Sequence, residues 1–181
     1  MISIYMTDDE SLQRAIHEDV ALHAYNPQWP ALFELERSRL LGLFPQIAAL
    51  EHIGSTAVEG LSAKPVIDMM AGVASMETAL LLAEPLCQSG YTASTEFNAS
   101  LIDRQWFMRW ADGHRTHHLH VVVHEGAVWQ GRLKFRDALR GNAELAAQYL
   151  QLKQCVAIEH AQDREAYTRA KTAFVQSVVA A

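Results

Sequence analysis

Glu51-His52-Ile53-Gly54-Ser55-Thr56, followed by Lys64-Pro65-Val66-Ile67-Asp68-Met69-Met70-Ala71-Gly72-Val73, is the stretch on which the reading of this chain turns. Its first part continues a buried strand, Ile47 to Ile53, that Gly54-Ser55-Thr56 breaks. Its second part is a nearly all-apolar strand from Pro65 to Val73, interrupted by a single carboxylate, Asp68. A strand that ends in Gly-Ser leaves backbone N–H groups and a hydroxyl at its tip, and the glycine permits close approach of an anion such as phosphate. An ionised carboxylate among Val, Ile and Met is costly unless it is paired, solvated in a cleft or bound to a cation. A plainer reading stands beside this one: a Ser-capped turn and an aspartate bonded to local backbone.

Working outward, residues Thr7 to His17 read as a short helix capped by Thr7 or Asp8. Val20 to Ala24 reads as a short edge strand, ended by the turn Tyr25-Asn26-Pro27. Pro30 suits the first turn of a helix that runs to about Phe44, with Leu32, Phe33, Leu35 or Glu36, Leu40 and Leu43 at helical spacing on its apolar face. Beyond Val73, Ser75 opens a helix from Met76 to Gln88, and Ser89-Gly90 ends it. Trp106 to Trp110 is strand-like, Asp112-Gly113 is a hairpin signal, and His117 to His124 is the returning strand. Three helices follow, at about 128–140, 143–160 and 163–179, with Asn142 and Asp163 as caps. The order predicts an α+β (mixed α/β) fold: a small mixed β-sheet packed with helices and a helical C-terminal tail from about residue 128. Residues 1–18 form an N-terminal extension with a short helix, and 19–181 the domain.

The 181 residues suit one domain with a proper core, and a net charge of −6 gives no global electrostatic case for nucleic acid as partner. A local basic group remains, because Arg104, Arg109, His114 and Arg115 fall close together. No apolar run reaches membrane-spanning length and the acidic, interrupted N-terminus is unlike a signal peptide, so no membrane partner and a cytoplasmic location are expected. Cys87 and Cys155 are far apart in helix-like surroundings, which predicts reduced thiols.

Twelve residues separate Ser55 from Asp68. That gap resembles the one between the Gly-Ser turn and the first metal-binding carboxylate of nucleotidyltransferase-like proteins. The resemblance implies a nucleotide or other phosphorylated small molecule as ligand, Gly54, Ser55 and Thr56 against its phosphates, and Asp68 on a divalent metal, Mg or Zn. Magnesium prefers oxygen ligands, however, and position 70, where a second carboxylate belongs on the same strand face, is Met70.

Thr116-His117-His118-Leu119-His120 is a second constellation. On a strand His118 and His120 share one face and His117 takes the other, so two imidazoles can join Asp68 at a metal. His120 is the candidate for the missing third carboxylate, which makes Asp68 and His120 the candidate catalytic pair. The plainer reading is a pair of histidines bonded to core polar groups. Arg104 and Arg109, flanking Trp106 and Phe107, are candidates to grip a phosphate while an aromatic stacks, against a solvated cationic rim. Lys64 is a further candidate for the anion. Asp163-Arg164-Glu165-Ala166-Tyr167 with Lys171 and Phe174 reads as capping and packing.

These blocks, with Tyr25-Asn26-Pro27-Gln28-Trp29-Pro30, Phe33 and Glu36 before them and Phe135-Arg136-Asp137 and Leu139-Arg140 after, resemble the GrpB family from about Val20 to the C-terminus. Glu59 departs from the pattern, which usually has Pro there. The resemblance implies a nucleotidyltransferase-like fold, the absence of the second carboxylate as a family habit, and no particular reaction. It is similar, too, to a domain fused to some bacterial dephospho-CoA kinases, although this chain has no P-loop. Two expectations follow: a nucleotide- or phosphate-binding protein of transferase descent, or a non-catalytic accessory module linked to coenzyme A synthesis or protein folding. In the second, a protein partner docks on the helical tail.

Overall fold

The computed structural model describes residues 21–159 and 164–180. The helix expected at 7–17 and the cap expected of Asp163 lie outside the described residues. At the centre is a five-stranded sheet in the order β1-β2-β5-β4-β3. Its strands are β1 (Ala49–Ile53), β2 (Ile67–Val73), β3 (Tyr91–Thr92), β4 (Gln105–Ala111) and β5 (His114–Val123). The β2–β5 pair is parallel and the other three pairs are antiparallel. This is the mixed sheet that the sequence predicts.

Among the described residues seven α-helices surround it: α1 (Trp29–Leu43), α2 (Met76–Leu81), α3 (Ala83–Gln88), α4 (Thr95–Ala99), α5 (Ala127–Gly141), α6 (Ala143–Glu159) and α7 (Arg164–Ala180). The strand period of two divides the side chains between two faces. On one face, Leu50, Ile67, Met69, Ala71, Phe107, Leu119 and Val121 meet Trp29, Phe33 and Leu40 of α1 and the α2–α3 segment in the main core. On the other, Ile53, Met70 and Val122 meet Trp129 of α5. The tail then packs on α5 through Leu139, Tyr149, Phe135 and Phe174.

Several local expectations are met by the chemistry that motivated them. Ser75 Oγ accepts from the Thr78 amide at 3.1 Å, and Asn142 Oδ1 accepts from the Leu145 amide at 3.0 Å. Asp112 and Gly113 both take positive φ, at 51° and 76°, which the tight β4–β5 hairpin requires. His118 and His120 do share one face, with His117 on the other.

Other expectations need correction. The edge strand expected at 20–24 is one isolated bridge between His23 and Ala63. The buried stripe of α1 is Trp29, Phe33, Glu36 and Leu40, at steps of four, three and four, while Leu32, Leu35 and Leu43 are exposed. A carboxylate thus occupies a core position that reads as apolar. The helix expected from Met76 to Gln88 is two helices meeting at Leu82. Pro85 is the reason: it has no N–H to offer the Leu81 carbonyl. Neither β3 nor α4 was expected, each being too short to show a period.

Candidate functional site

The site face of the sheet begins at the β1–β2 junction. β1 ends at Ile53, Gly54 turns with φ +70°, and Ser55 to Ala57 form one tight helical turn. A Cβ at Gly54 would come 2.5 Å from Asp68 Oδ2, so glycine is needed both for its backbone and for the carboxylate beside it. Asp68 lies on β2 directly across from Ile53 on one side and His118 on the other.

His118 Nδ1 and Asp68 Oδ1 are 2.9 Å apart, and His118 Nε2 is 3.3 Å from Arg115 Nη1. A guanidinium only donates, so the neutral ring accepts at Nε2, and whether the ring is neutral or protonated, Nδ1–H donates to Asp68. Trp106 sets the ring edge-on at 5.2 Å between centroids. Asp68 is therefore held by a side chain, not by the backbone donors of the plainer reading, and its side chain keeps 31% exposure. Burial pushes its carboxyl up, but the His118 hydrogen bond and the charges of His118, Arg132 and Lys171 outweigh that and hold it below the usual range.

The residue facing Asp68 is His118 rather than His120, which pairs with Met70 one step along. His120 Nδ1 is buried without a hydrogen-bond partner. Burial, with the nearby charges of Arg132, His118 and Arg104, drives its ring well below the ordinary histidine range, so it is neutral at pH 7. Among the described residues no three His, Cys, Asp or Glu side chains are grouped to hold a metal ion. Met70, at the position of the second carboxylate, is fully buried. The arrangement does not fit a metal centre built from protein ligands alone.

The other predicted residues divide. Ser55 is in the site: its Oγ accepts from Lys153 Nζ at 3.1 Å. Thr56 is not; it is 1% exposed, and its hydroxyl joins His52 Nε2 at 3.0 Å and the Val66 carbonyl at 3.4 Å, tying the turn to β1 and the loop before β2. Arg104, ion-paired to Asp103 at 2.9 Å, stands close enough to depress both Arg132 and His120. Arg109 shares the strand parity of Phe107 and lies on the opposite face, ion-paired to Glu36. Two arginines five apart on a strand point to opposite faces, which the sequence cluster conceals. Lys64 sits in the loop before β2, its carbonyl accepting from the Val66 amide.

The sequence reading missed the contribution of the tail. Arg132 of α5, Lys153 of α6 and Lys171 of α7 all act on Asp68. Burial, then the charge of Arg104, lowers the basicity of Arg132. Burial, then the charge of Lys171, lowers Lys153 to about 8. The assignment of Lys171 to packing is thereby corrected, whereas Phe174 does pack, against Tyr149 and Phe135. One signal for Lys153 was present: it occupies the buried stripe of α6 between Tyr149 and Val156, where a solvated lysine does not belong.

A groove of about 710 Å³ opens on the far side of the 55–61 turn, lined by Tyr25, Val58, Leu61, Arg140 and the alanines of α6. It does not include Asp68 or Ser55, so this groove and the charged site are neighbours rather than one cleft.

This geometry has relatives. The family model described as GrpB protein matches residues 19–181. The chain is 31% identical to the glutamate-rich protein GrpB of Alkalihalophilus pseudofirmus over 166 residues, covering 89% of this chain and 94% of that one. It is 33% identical to the UPF0157 protein YqkA of Bacillus subtilis, covering 87% of this chain but only 46% of that relative. A dephospho-CoA kinase of Mycobacterium bovis is 34% identical over 151 residues, 71% of this chain and 37% of the kinase. Among solved structures, the conserved protein GrpB from Enterococcus faecalis superposes with a TM-score of 0.76 at 31% identity, covering 88% of this chain and 95% of that one. With the family model spanning nearly the whole described fold, and both a full-length relative and a solved structure in agreement, the chain belongs to the GrpB family.

Proposed function

We propose that the chamber between the Gly54-Ser55 turn and the tail helices binds a phosphate-bearing small molecule, a nucleotide being the first candidate. The observation that carries this is the excess of cations round one carboxylate. Arg132, Lys153 and Lys171, from the three tail helices, all interact with the charge of Asp68, and Arg104, ion-paired to Asp103, acts on Arg132 beside them; Arg132 and Lys153 are less basic than usual because burial and mutual repulsion penalise their charge. A cluster held in that condition is relieved by an anion, and phosphate brings several negative oxygens to the same place. His118, its proton directed at Asp68, keeps the carboxylate ionised and oriented.

A divalent metal enters this reading only with the ligand. Magnesium is commonly bound by one or two carboxylates plus substrate phosphates, and Asp68 supplies one. Residues of this chain then orient the phosphates.

The test is a melting curve with inorganic tripolyphosphate or ATP, with and without Mg²⁺. A ligand at a hundred times its Kd adds about 2.7 kcal/mol, which is about 5–10 °C for a chain of this length. No shift with any of these at millimolar concentration ends the phosphate reading.

The accessory reading keeps one supporting observation. Leu35, Leu43, Leu80 and Leu81 are each more than half exposed, on α1 and α2. They are on the side of the sheet away from the tail that was expected to carry a docking surface.

A further inference from the structure

Lys153 is the buried group that phosphate binding alone does not explain. It is 3% exposed, and among the described residues no carboxylate pairs with it. Its Nζ donates to the Ser62 carbonyl at 2.6 Å, contacts Ser55 Oγ at 3.1 Å and lies 5.1 Å from the centroid of the Tyr149 ring. A binding lysine is ordinarily a solvated, mobile charge on a long stem. This one is fixed from three sides and desolvated, with a hydroxyl in hydrogen-bond reach.

We propose that Ser55 Oγ is a nucleophile toward phosphorus electrophiles and that Lys153 is its general base. The pattern has the parts such a pair needs: a nucleophile within about 2.6–3.2 Å of a base, and a third group, here the Ser62 carbonyl, that orients the base. Ser55 is half-buried on a turn whose preceding residue is a glycine at positive φ, while the Lys153 side chain in contact with its hydroxyl is buried. A lysine near pKa 8 is neutral in about a quarter of molecules at pH 7.5, enough to accept a proton. Thr56, next in sequence, is excluded from the role because its hydroxyl is locked to His52 and Val66.

The step balances as follows. Neutral Lys153 Nζ takes the Ser55 hydroxyl proton and becomes an ammonium. The Oγ–P bond forms and the bond from phosphorus to its leaving group breaks, that group departing with its electron pair. Arg132 and Lys171, whose charges reach Asp68, would offset the charge that gathers on the phosphoryl oxygens. Water or an acceptor hydroxyl then takes the phosphoryl group from Ser55: Lys153 returns its proton to Ser55 Oγ as the Oγ–P bond breaks, and the acceptor's own proton passes to the departed leaving group or to solvent.

This inference rests on the chamber proposed above, but its test is independent of ligand affinity. The full chain is treated with a fluorophosphonate, a phosphorus electrophile whose leaving group is fluoride, and read by intact mass and peptide mapping. The expected result is one adduct, on Ser55, absent from Ser55→Ala and from heat-unfolded protein. Lys153→Arg retains the charge and loses the base, so labelling should fall at least a hundredfold. Should that variant fail to fold, the wild-type rate decides: it rises tenfold per pH unit below about 8 and levels above it. No adduct on Ser55, or a rate indifferent to pH across that range, overturns the proposal. A tripolyphosphate shift in the melting curve without an adduct would reject the nucleophile and leave the binding site standing. An adduct without a shift would do the reverse.

Discussion

Each face of the sheet holds an acid among several cations, Glu36 on one and Asp68 on the other, and these two are finished differently. On the α1 face, Glu36 is 4% exposed. It accepts from Arg39 at 2.6, 3.0 and 3.1 Å, from the Tyr91 hydroxyl at 2.8 Å, and from Arg109. Burial pushes that carboxyl up, but hydrogen bonds from Arg39 and Tyr91 and the Arg109 charge more than reverse it. On the α5 face, Asp68 takes one hydrogen bond, from His118, and the cations round it act at longer range. In the first arrangement the acid itself is saturated: two arginines and a tyrosine occupy both Glu36 oxygens, which holds α1 to β3 and β4. The second leaves its acid a third exposed, with one hydrogen bond, and Arg132 and Lys153 beside it made less basic by burial and by neighbouring cations. Saturation marks structure, and an uncancelled field marks a place for a partner.

Acid should weaken the saturated face through two histidines, with buried His120 adding to the loss from the other face. His52, stacked on Phe33 at 4.7 Å, and His117 both lie there, and burial lowers each to about 4. Because the unfolded chain takes up protons below about pH 6.5 and the native rings do not until about 4, stability is full above that window and falls through it. The loss is about 2 kcal/mol per histidine by pH 5, near 4 kcal/mol together. Urea titrations at pH 7 and pH 5 check this; equal midpoints would show that the rings protonate freely in the native state. Glu36→Gln comes next. It leaves Arg109 and Arg39 without their acid and should cost about 3 kcal/mol, discounted for the partial exposure of both arginines. The same titration, with tripolyphosphate binding measured beside it, should show lost stability and unchanged affinity.

How far the chain could be read follows the same division. The two strands, the hairpin and the tail helices were legible because each has a long period or a punctuating residue such as Asp112-Gly113 or Asn142. Asp68 was legible because a carboxylate in an apolar strand is costly, and Gly54 because a turn beside it needed room. What the sequence hid is set by tertiary contact. Glu36 occupies a helix position that reads as apolar, and its arginine partner stands 73 residues away. Thr56 looks like a phosphate ligand until His52 takes its hydroxyl. Lys153 reaches Ser55 across 98 residues. Neither pairing has a local signature, although a lysine on the buried stripe of α6 was a clue.

The smallest change in stability and the most direct test come from one substitution on the open face. Arg132→Met removes a cation that burial already penalises, so stability should move by less than about 1 kcal/mol. Calorimetric titration with tripolyphosphate should then show binding to the wild type, affinity about tenfold weaker in Arg132→Met, and no change in Arg109→Met, whose arginine belongs to the saturated cluster. Heat of binding that is absent in the wild type, or that falls equally in both variants, would contradict the assignment of the ligand to the Asp68 face.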